Sequence, residues 1–322
     1  MRKNAFLFFK IALLILIFVW IFRSVNVQET VKVLAKTNTT IFFLAFLLNN
    51  TSNIFLTIKW HRLAKPLKIK SDIFELLKLN YISVFYSIFV PGQASGELIK
   101  GFKLAKREES TQKVWIPILI DKITNLFAVF CLGFIALLSD KDFNQNRNLI
   151  FVVTLSTAFL AFLTIILFSE HTNNLTSFAK DLLVSFLKLF KVKTKFLENF
   201  SLNYFENYKK HNFLLFETLF WSFAIKLPHV FTFYLLALSL DLNLNIIESA
   251  WLFAIVSIAS ILPISFSGLG IREGTVIVLL SQVGIGTSSA LSLSMLIFII
   301  GILTGLIGGI LEMFSGFHSK KK

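Results

Sequence analysis

The sequence predicts an all-α polytopic membrane protein. About six full spans and two oppositely oriented re-entrant helical hairpins form an inverted-topology repeat. Three observations predict it. The chain is 55% hydrophobic over 322 residues with a mean hydropathy of +0.74, beyond the range of soluble domains. Two apolar regions break partway at Pro and Gly. The basic residues collect in alternate loops, as cytoplasmic loops require.

The breaks organise the rest. Pro263 to Glu273 reads Pro-Ile-Ser-Phe-Ser-Gly-Leu-Gly-Ile-Arg-Glu and separates the apolar runs 249–262 and 274–283. Neither run reaches the roughly 20 residues a helical span needs. Pro91-Gly-Gln-Ala-Ser95-Gly96-Glu97 follows the apolar run 73–90 in the same way. Both share Pro-x-x-x-Ser-Gly, and the two copies stand 172 residues apart. Broken backbone at membrane depth is tolerated where protein or a water-filled cavity satisfies it.

In chain order, 5–22 reads as a retained anchor helix, because Arg23 and no small-residue cleavage site follows it. Residues 39–58 form a span, and 59–72 are basic (Lys59, Arg62, Lys65, Lys68, Lys70). After the 73–90 run and its break, a short polar helix over about 95–107 aligns Glu97, Lys100, Lys103 and Lys106 as one charged stripe. Spans are expected at 114–138 and 149–168. Residues 176–212 read as an amphipathic interfacial linker with Phe178, Leu182, Phe186 and Leu189 on one face. A span at 213–239, the broken region 249–283, a span at 288–312 and a Lys320-Lys321-Lys322 tail complete the chain. The whole forms a single integral membrane domain.

Treating both broken regions as hairpins and the N-terminus as cytoplasmic leaves 22 of the 32 Lys and Arg inside and 5 outside, with the other five within apolar runs. Full crossing by 73–90 would turn the seven cations of 169–212 outward. The favoured topology orients the unit span–hairpin–span (repeat 1 about 39–138, repeat 2 about 213–312) oppositely in its two copies. That is an architecture of many transporters, whose interrupted segments mark the binding site.

Candidate binding residues follow from the breaks: Pro91, Ser95, Gly96, Glu97 and Lys100 in the first, and Pro263, Ser267, Gly268, Gly270, Arg272 and Glu273 in the second. Asp121 and Lys122, one turn into a full span, join them, because charge at depth marks a site. Ser95 and Ser267 are expected as N-caps, and two helix starts plus Arg272 suit a phosphate or carboxylate headgroup. Arg272–Glu273 also reads as a buried pair that merely fixes its hairpin. Lys226 and Pro228 are expected to break another span. His229 reads as a hydrogen-bonded core residue. The ladder Gly301-x-x-x-Gly305-x-x-x-Gly309 reads first as tight packing within one subunit and second as a seam of a homo-oligomer.

Other chemistry finds little footing. A net charge of +14 belongs to loops facing anionic lipid rather than to nucleic acid. Cys131 stands alone in an apolar run and forms no CxxC or intrachain disulfide. The five histidines lack ligand spacing, and no P-loop appears, so no metal, cofactor or ATP-driven chemistry is expected.

Together, Pro91-Gly-Gln-Ala-Ser-Gly-Glu with its basic helix, Asp121-Lys122, and Ser267-Gly-Leu-Gly-Ile-Arg-Glu resemble the flippase-like transmembrane domain of lysylphosphatidylglycerol synthases. That domain also occurs in stand-alone bacterial and archaeal membrane proteins. In the first motif the family often shows Gly-Gly, an acidic residue, then Arg; here Ser95-Gly96 precedes Glu97, and Lys100 stands near the usual Arg. The resemblance covers about 5–315. It implies translocation, as flippase or scramblase, of a charged-headgroup lipid between leaflets of a prokaryotic plasma membrane, with both termini cytoplasmic. The implied partners are membrane lipids with anionic or phosphate-bearing headgroups. The chain ends ten residues past its last span, so no soluble transferase domain is expected, and the protein is not read as an enzyme. Two alternatives are a secondary transporter of a small soluble anion and, ranked last, a membrane-embedded lipid-modifying enzyme using Glu97, Asp121 or Glu273 as acid or base.

Overall fold

A computed structural model describes residues 26–89, 95–106, 108, 112–140, 154–155, 157–158, 208, 212–261 and 269–319. The expected anchor helix 5–22, the interfacial linker 176–212 up to Tyr208 and nearly all of the span 149–168 lie outside the described residues, as do Pro91, Pro263, Ser267 and Gly268. Among the described residues are nine α-helices and no strand.

The helices start where the sequence supplies caps. α1 (Val27–Ala35) begins after Asn26, whose side chain accepts from Glu29 N–H at 3.2 Å. α2 (Thr39–Ala64) begins after Asn38, whose Oδ1 accepts from the Thr40 and Ile41 N–H groups at 3.1 and 3.2 Å. A 3-10 turn over Lys65–Leu67 prolongs α2, with Pro66 where no donor is needed, and Lys68 ends it in the left-handed region at φ 51°. There follow α3 (Ile73–Phe89), α4 (Ser95–Ala105), α5 (Gln112–Ser139), α6 (Asn212–Ser239), α7 (Ile246–Ile261), α8 (Ile271–Gln282) and α9 (Thr287–Ser319).

Four stretches are long and apolar enough to cross a bilayer: Thr39–Leu67, Lys113–Ser139, Phe213–Ser239 and Thr287–Phe314. At about 1.5 Å per residue each reaches roughly 40 Å. α3 and α7, with 17 and 16 residues, fall short of that length.

α3 and α4 form an antiparallel helical hairpin. Lys70 N–H donates to Glu108 at 2.9 Å, Lys100 donates to Asn80 at 2.6 Å, and Gly96 abuts Ser83. The partners advance in opposite directions along the chain, as a hairpin demands. Gly96 is required at the closest approach, because a Cβ there would overlap the Ser83 carbonyl. α7 and α8 pack on each other likewise, and the chain turns into α8 through Gly270 at φ 84°, a backbone state suited to glycine.

Each hairpin leans on a distant span. α3 packs along α9, where Gly308 meets the Tyr81 backbone, Gly305 meets Ile88 and Gly309 meets Phe85. α7 packs along α5, where Gly133 meets Ala254 and Trp251 Nε1 donates to Asp140 at 2.9 Å. α2 and α6 pack along each other between them. The register fixes how far each hairpin reaches. The α3 end lies beside Gly305, about 6 Å from the centre of the Thr287–Phe314 stretch. α7 runs antiparallel to α5 and ends at Ile261, seven residues beyond Ala254; at an equal rise per residue that end comes level with the centre of Lys113–Ser139. By this register α3 and α7 each end near the middle of the spans they lean on.

Two apolar cores result. One gathers Ala45, Leu137, Leu236, Trp251, Leu252, Leu280 and Leu293 around α7 and α8. The other gathers Trp60, Leu63, Leu76, Ile116, Ile120 and Tyr208 around the open end of the first hairpin.

Two sequence expectations change, and a third is met at all but one of its glycines. The span expected at 39–58 runs on to Leu67, which takes Lys59 from a basic loop into the helix bundle. Pro228 does not break its span: α6 is continuous from Asn212 to Ser239. A proline removes one backbone donor, and packed neighbours sustain the helix around it. The glycine ladder packs α9 on α3 within the subunit through Gly305, Gly308 and Gly309, while a Cβ on Gly301 meets nothing within 4 Å.

Candidate functional site: buried charges at the hairpins

The first hairpin carries a polar cluster. Lys59 of α2 is wholly buried, 2.6 Å from Asp121 Oδ1 of α5, and donates to Thr124 Oγ1 at 2.9 Å. Asp121 also accepts from Asn125 Nδ2 at 3.0 Å. Burying an ion costs several kcal/mol after relaxation; a close counter-ion and added hydrogen bonds offset it here. Lys100 of α4 is 3% exposed, donates to Asn80 Oδ1 at 2.6 Å, and sits 3.6 Å from the centroid of the Trp60 ring. Asn80 Nδ2 in turn donates to Thr57 Oγ1 at 2.8 Å. Glu97, one turn before Lys100, accepts from Lys122 at 2.8 Å, and both side chains are about a third exposed.

Lys226 of α6 completes the cluster. It is partly buried within electrostatic reach of Lys59, Asp121, Lys122 and Glu97, and its ammonium forms no hydrogen bond or ion pair among the described residues. Four lysines therefore face two carboxylates. Lys59 is matched by Asp121 and Lys122 by Glu97. Among the described residues Lys100 and Lys226 form no ion pair with a carboxylate.

The second hairpin is closed on itself. Glu273 and Arg272 open α8, both buried. The Glu273 carboxylate accepts from Gly270 N–H, from Arg272 and from Ser294 Oγ at 3.3 Å. Arg272 Nε donates to Ser294 Oγ at 3.2 Å, and its guanidinium lies 5.0 Å from the Phe298 ring centroid. The helix start, the natural anion site, is thus occupied by the protein's own carboxylate.

At the edge of the first core lies a cavity of about 130 Å³, lined by Asn49, His229, Thr232, Phe253, Ile297 and Gly301. His229 Nδ1 bonds Asn49 Oδ1 at 3.2 Å, and Asn49 Nδ2 donates to Thr304 Oγ1 at 3.4 Å. His229 is the hydrogen-bonded core residue its sequence context suggests, stacked on Phe253.

The candidate residues separate into distinct groups. Gly96, Glu97, Lys100, Asp121 and Lys122 come together at the first hairpin, and Gly270, Arg272 and Glu273 at the second. Ser95 is the first helical residue of α4 rather than its cap, and the cap of α8 is Gly270, three positions past Ser267. The expected charged stripe on α4 is divided: Glu97 joins Lys122, Lys100 turns inward, and Lys103 joins Glu312 of α9, which also accepts from Tyr86 at 3.1 Å. Sequence reasoning missed Lys59, Asn80, Trp60, Thr124 and Asn49. The polar run Asn49-Asn50-Thr51-Ser52-Asn53, mid-span in an apolar helix, was the available signal.

Apolar helices of spanning length, broken helical hairpins and ionic groups buried between them define a helical membrane protein. The chain belongs to the lysylphosphatidylglycerol synthase TM region family, whose model matches residues 7–309. It is similar to a UPF0104 membrane protein of Methanocaldococcus jannaschii, 24% identical over 291 residues, covering 86% of this chain and 84% of that one. No solved structure matches it.

Proposed function

We propose that this protein moves a lipid with an anionic headgroup between membrane leaflets, through a polar path built by two re-entrant hairpins of opposite orientation. The observation that carries the reading is the register. α3 and α7 each end near the middle of the spans they lean on, and the first hairpin carries a buried charge cluster. The exchanged packing, α3 on α9 and α7 on α5, supports an inverted repeat in which each half completes the other. Helix interiors shield the headgroup while acyl tails stay in lipid. The cytoplasmic side is the one that receives 68–72, 106–113 and both termini.

The test uses purified full-length protein in proteoliposomes with headgroup-labelled lipids and a membrane-impermeant quencher. Protein-dependent loss of the inner-leaflet signal is expected for anionic lipids. Equal protection with and without protein, across anionic phospholipids and polyprenyl phosphates, overturns lipid translocation. Covalent change in the recovered lipid points instead to an enzyme.

A further inference from the structure

We infer that the cavity beside His229 is a binding site for a neutral, mostly apolar molecule, comparable in size to a benzene ring and carrying one hydroxyl group. The site is independent of lipid translocation, and no residue of the charge cluster lines it among the described residues. Depth, room and spare hydrogen-bonding capacity each point to it. Gly301 stands at the centre of the Thr287–Phe314 stretch, His229 three residues from the centre of Phe213–Ser239, and Asn49 four from the centre of Thr39–Leu67. At about 1.5 Å per residue, all three lie within roughly 6 Å of mid-span. A Cβ on Gly301 would meet nothing within 4 Å, so this glycine opens space instead of packing a helix. The space amounts to about 130 Å³, with Phe233, Leu236, Phe253, Ile297 and Ile300 as apolar wall. Cavities of about 150 Å³ with aliphatic and aromatic walls hold a benzene-sized guest.

The polar part of the wall selects the guest. Asn49 Oδ1 only accepts, so His229 donates to it from Nδ1, 3.2 Å away. The ring is thereby held with its lone pair on Nε2, which has no partner among the described residues. His229 is partly exposed and lines the cavity. No carboxylate bonds the ring, and a bare charge at this depth is costly, so the neutral imidazole is the stable form. Thr232 spends its hydroxyl proton on the Ala45 carbonyl at 3.4 Å, and Asn49 spends one N–H on Thr304 at 3.4 Å. The described wall therefore keeps an acceptor at Nε2, the lone pairs of Thr232 Oγ1 and one N–H of Asn49. An O–H group both donates and accepts, and fits that set. A carboxylate or phosphate needs several donors and finds one. An ammonium would leave water for a wall without a counter-charge.

The hydroxyl could arrive on a small free molecule or on a lipid-borne ring, and the test separates the two. Purified full-length protein in detergent is titrated with para-fluorophenol and with fluorobenzene by fluorine NMR, with protein-free micelles as the blank. Saturable binding of para-fluorophenol is expected, about fivefold tighter than fluorobenzene, the ratio that one neutral hydrogen bond supplies. His229→Phe keeps a ring in place and should bring the two probes to equal affinity. Gly301→Leu fills the space and should abolish saturable binding of both. Elution and unfolding temperature report whether each variant is folded, and the wild-type ratio decides by itself where one is not. Equal wild-type affinities, no saturable binding, or a ratio that folded His229→Phe leaves unchanged overturns the site, and so does binding that folded Gly301→Leu retains. Competition by para-dodecylphenol gives the source. Displacement of para-fluorophenol assigns a lipid-borne hydroxyl, and failure to displace it confines the site to small free alcohols, with hydroxyl recognition standing in both cases. Lipid translocation stands or falls separately from every one of these outcomes.

Discussion

At the residue scale, the Lys59–Asp121 pair shows why a buried charge is rarely a spare part. Removing one partner leaves the other as an uncompensated ion, which costs about 3–5 kcal/mol. Asp121→Asn should therefore lower the thermal unfolding temperature in detergent strongly. Lys59→Met combined with Asp121→Leu should recover most of the loss, since an apolar pair of similar volume needs no counter-charge. Lys226→Gln should leave unfolding nearly unchanged, because that side chain holds no partner among the described residues. The contrast distinguishes a charge that holds the bundle from one that does not.

At the element scale, glycines decide how closely a hairpin approaches its supporting span. Gly308 and Gly301 sit on the same helix, yet a Cβ on Gly308 would overlap the Tyr81 carbonyl, whereas one on Gly301 meets nothing within 4 Å. Gly308→Ala should destabilise by about 1–3 kcal/mol through overpacking. Gly301→Ala should be close to neutral and only narrow the central cavity. Side-by-side unfolding curves check both. The breaks themselves were legible in the sequence, because Pro and Gly interrupt apolar runs too short to cross. Their caps were not: a serine before glycine looks like an N-cap, but Glu273 reaching back to Gly270 sets where α8 begins. Nor was the partner choice on α4 legible. Three lysines at helical spacing look like one solvated stripe, and only the approach of α2, α3 and α9 gives Lys100 and Lys103 different destinations.

At the scale of the molecule, the order of the major helices followed from hydropathy, since spanning length is written along the chain. The depth of Lys59 did not follow. A lysine next to Trp60, His61 and Arg62 reads as the start of a loop until Asp121, 62 residues away, is seen beside it. The topology makes a direct expectation. With Cys131→Ala as background, Lys65→Cys should react with an impermeant maleimide only after permeabilisation of the outer face, and Asn243→Cys should react in intact cells. Both positions are exposed. The reverse pattern would invert the molecule and assign the lysine cluster to the other leaflet.

The two hairpins are unequal in one respect that bears on direction. The second has its helix start filled by a tethered carboxylate, while in the first Lys100 bonds a neutral amide and the face of Trp60. On the lipid-translocation reading proposed above, a passenger would meet two unlike seats. Detailed balance forbids such unevenness from driving net flow by itself. It would set instead where the cargo dwells.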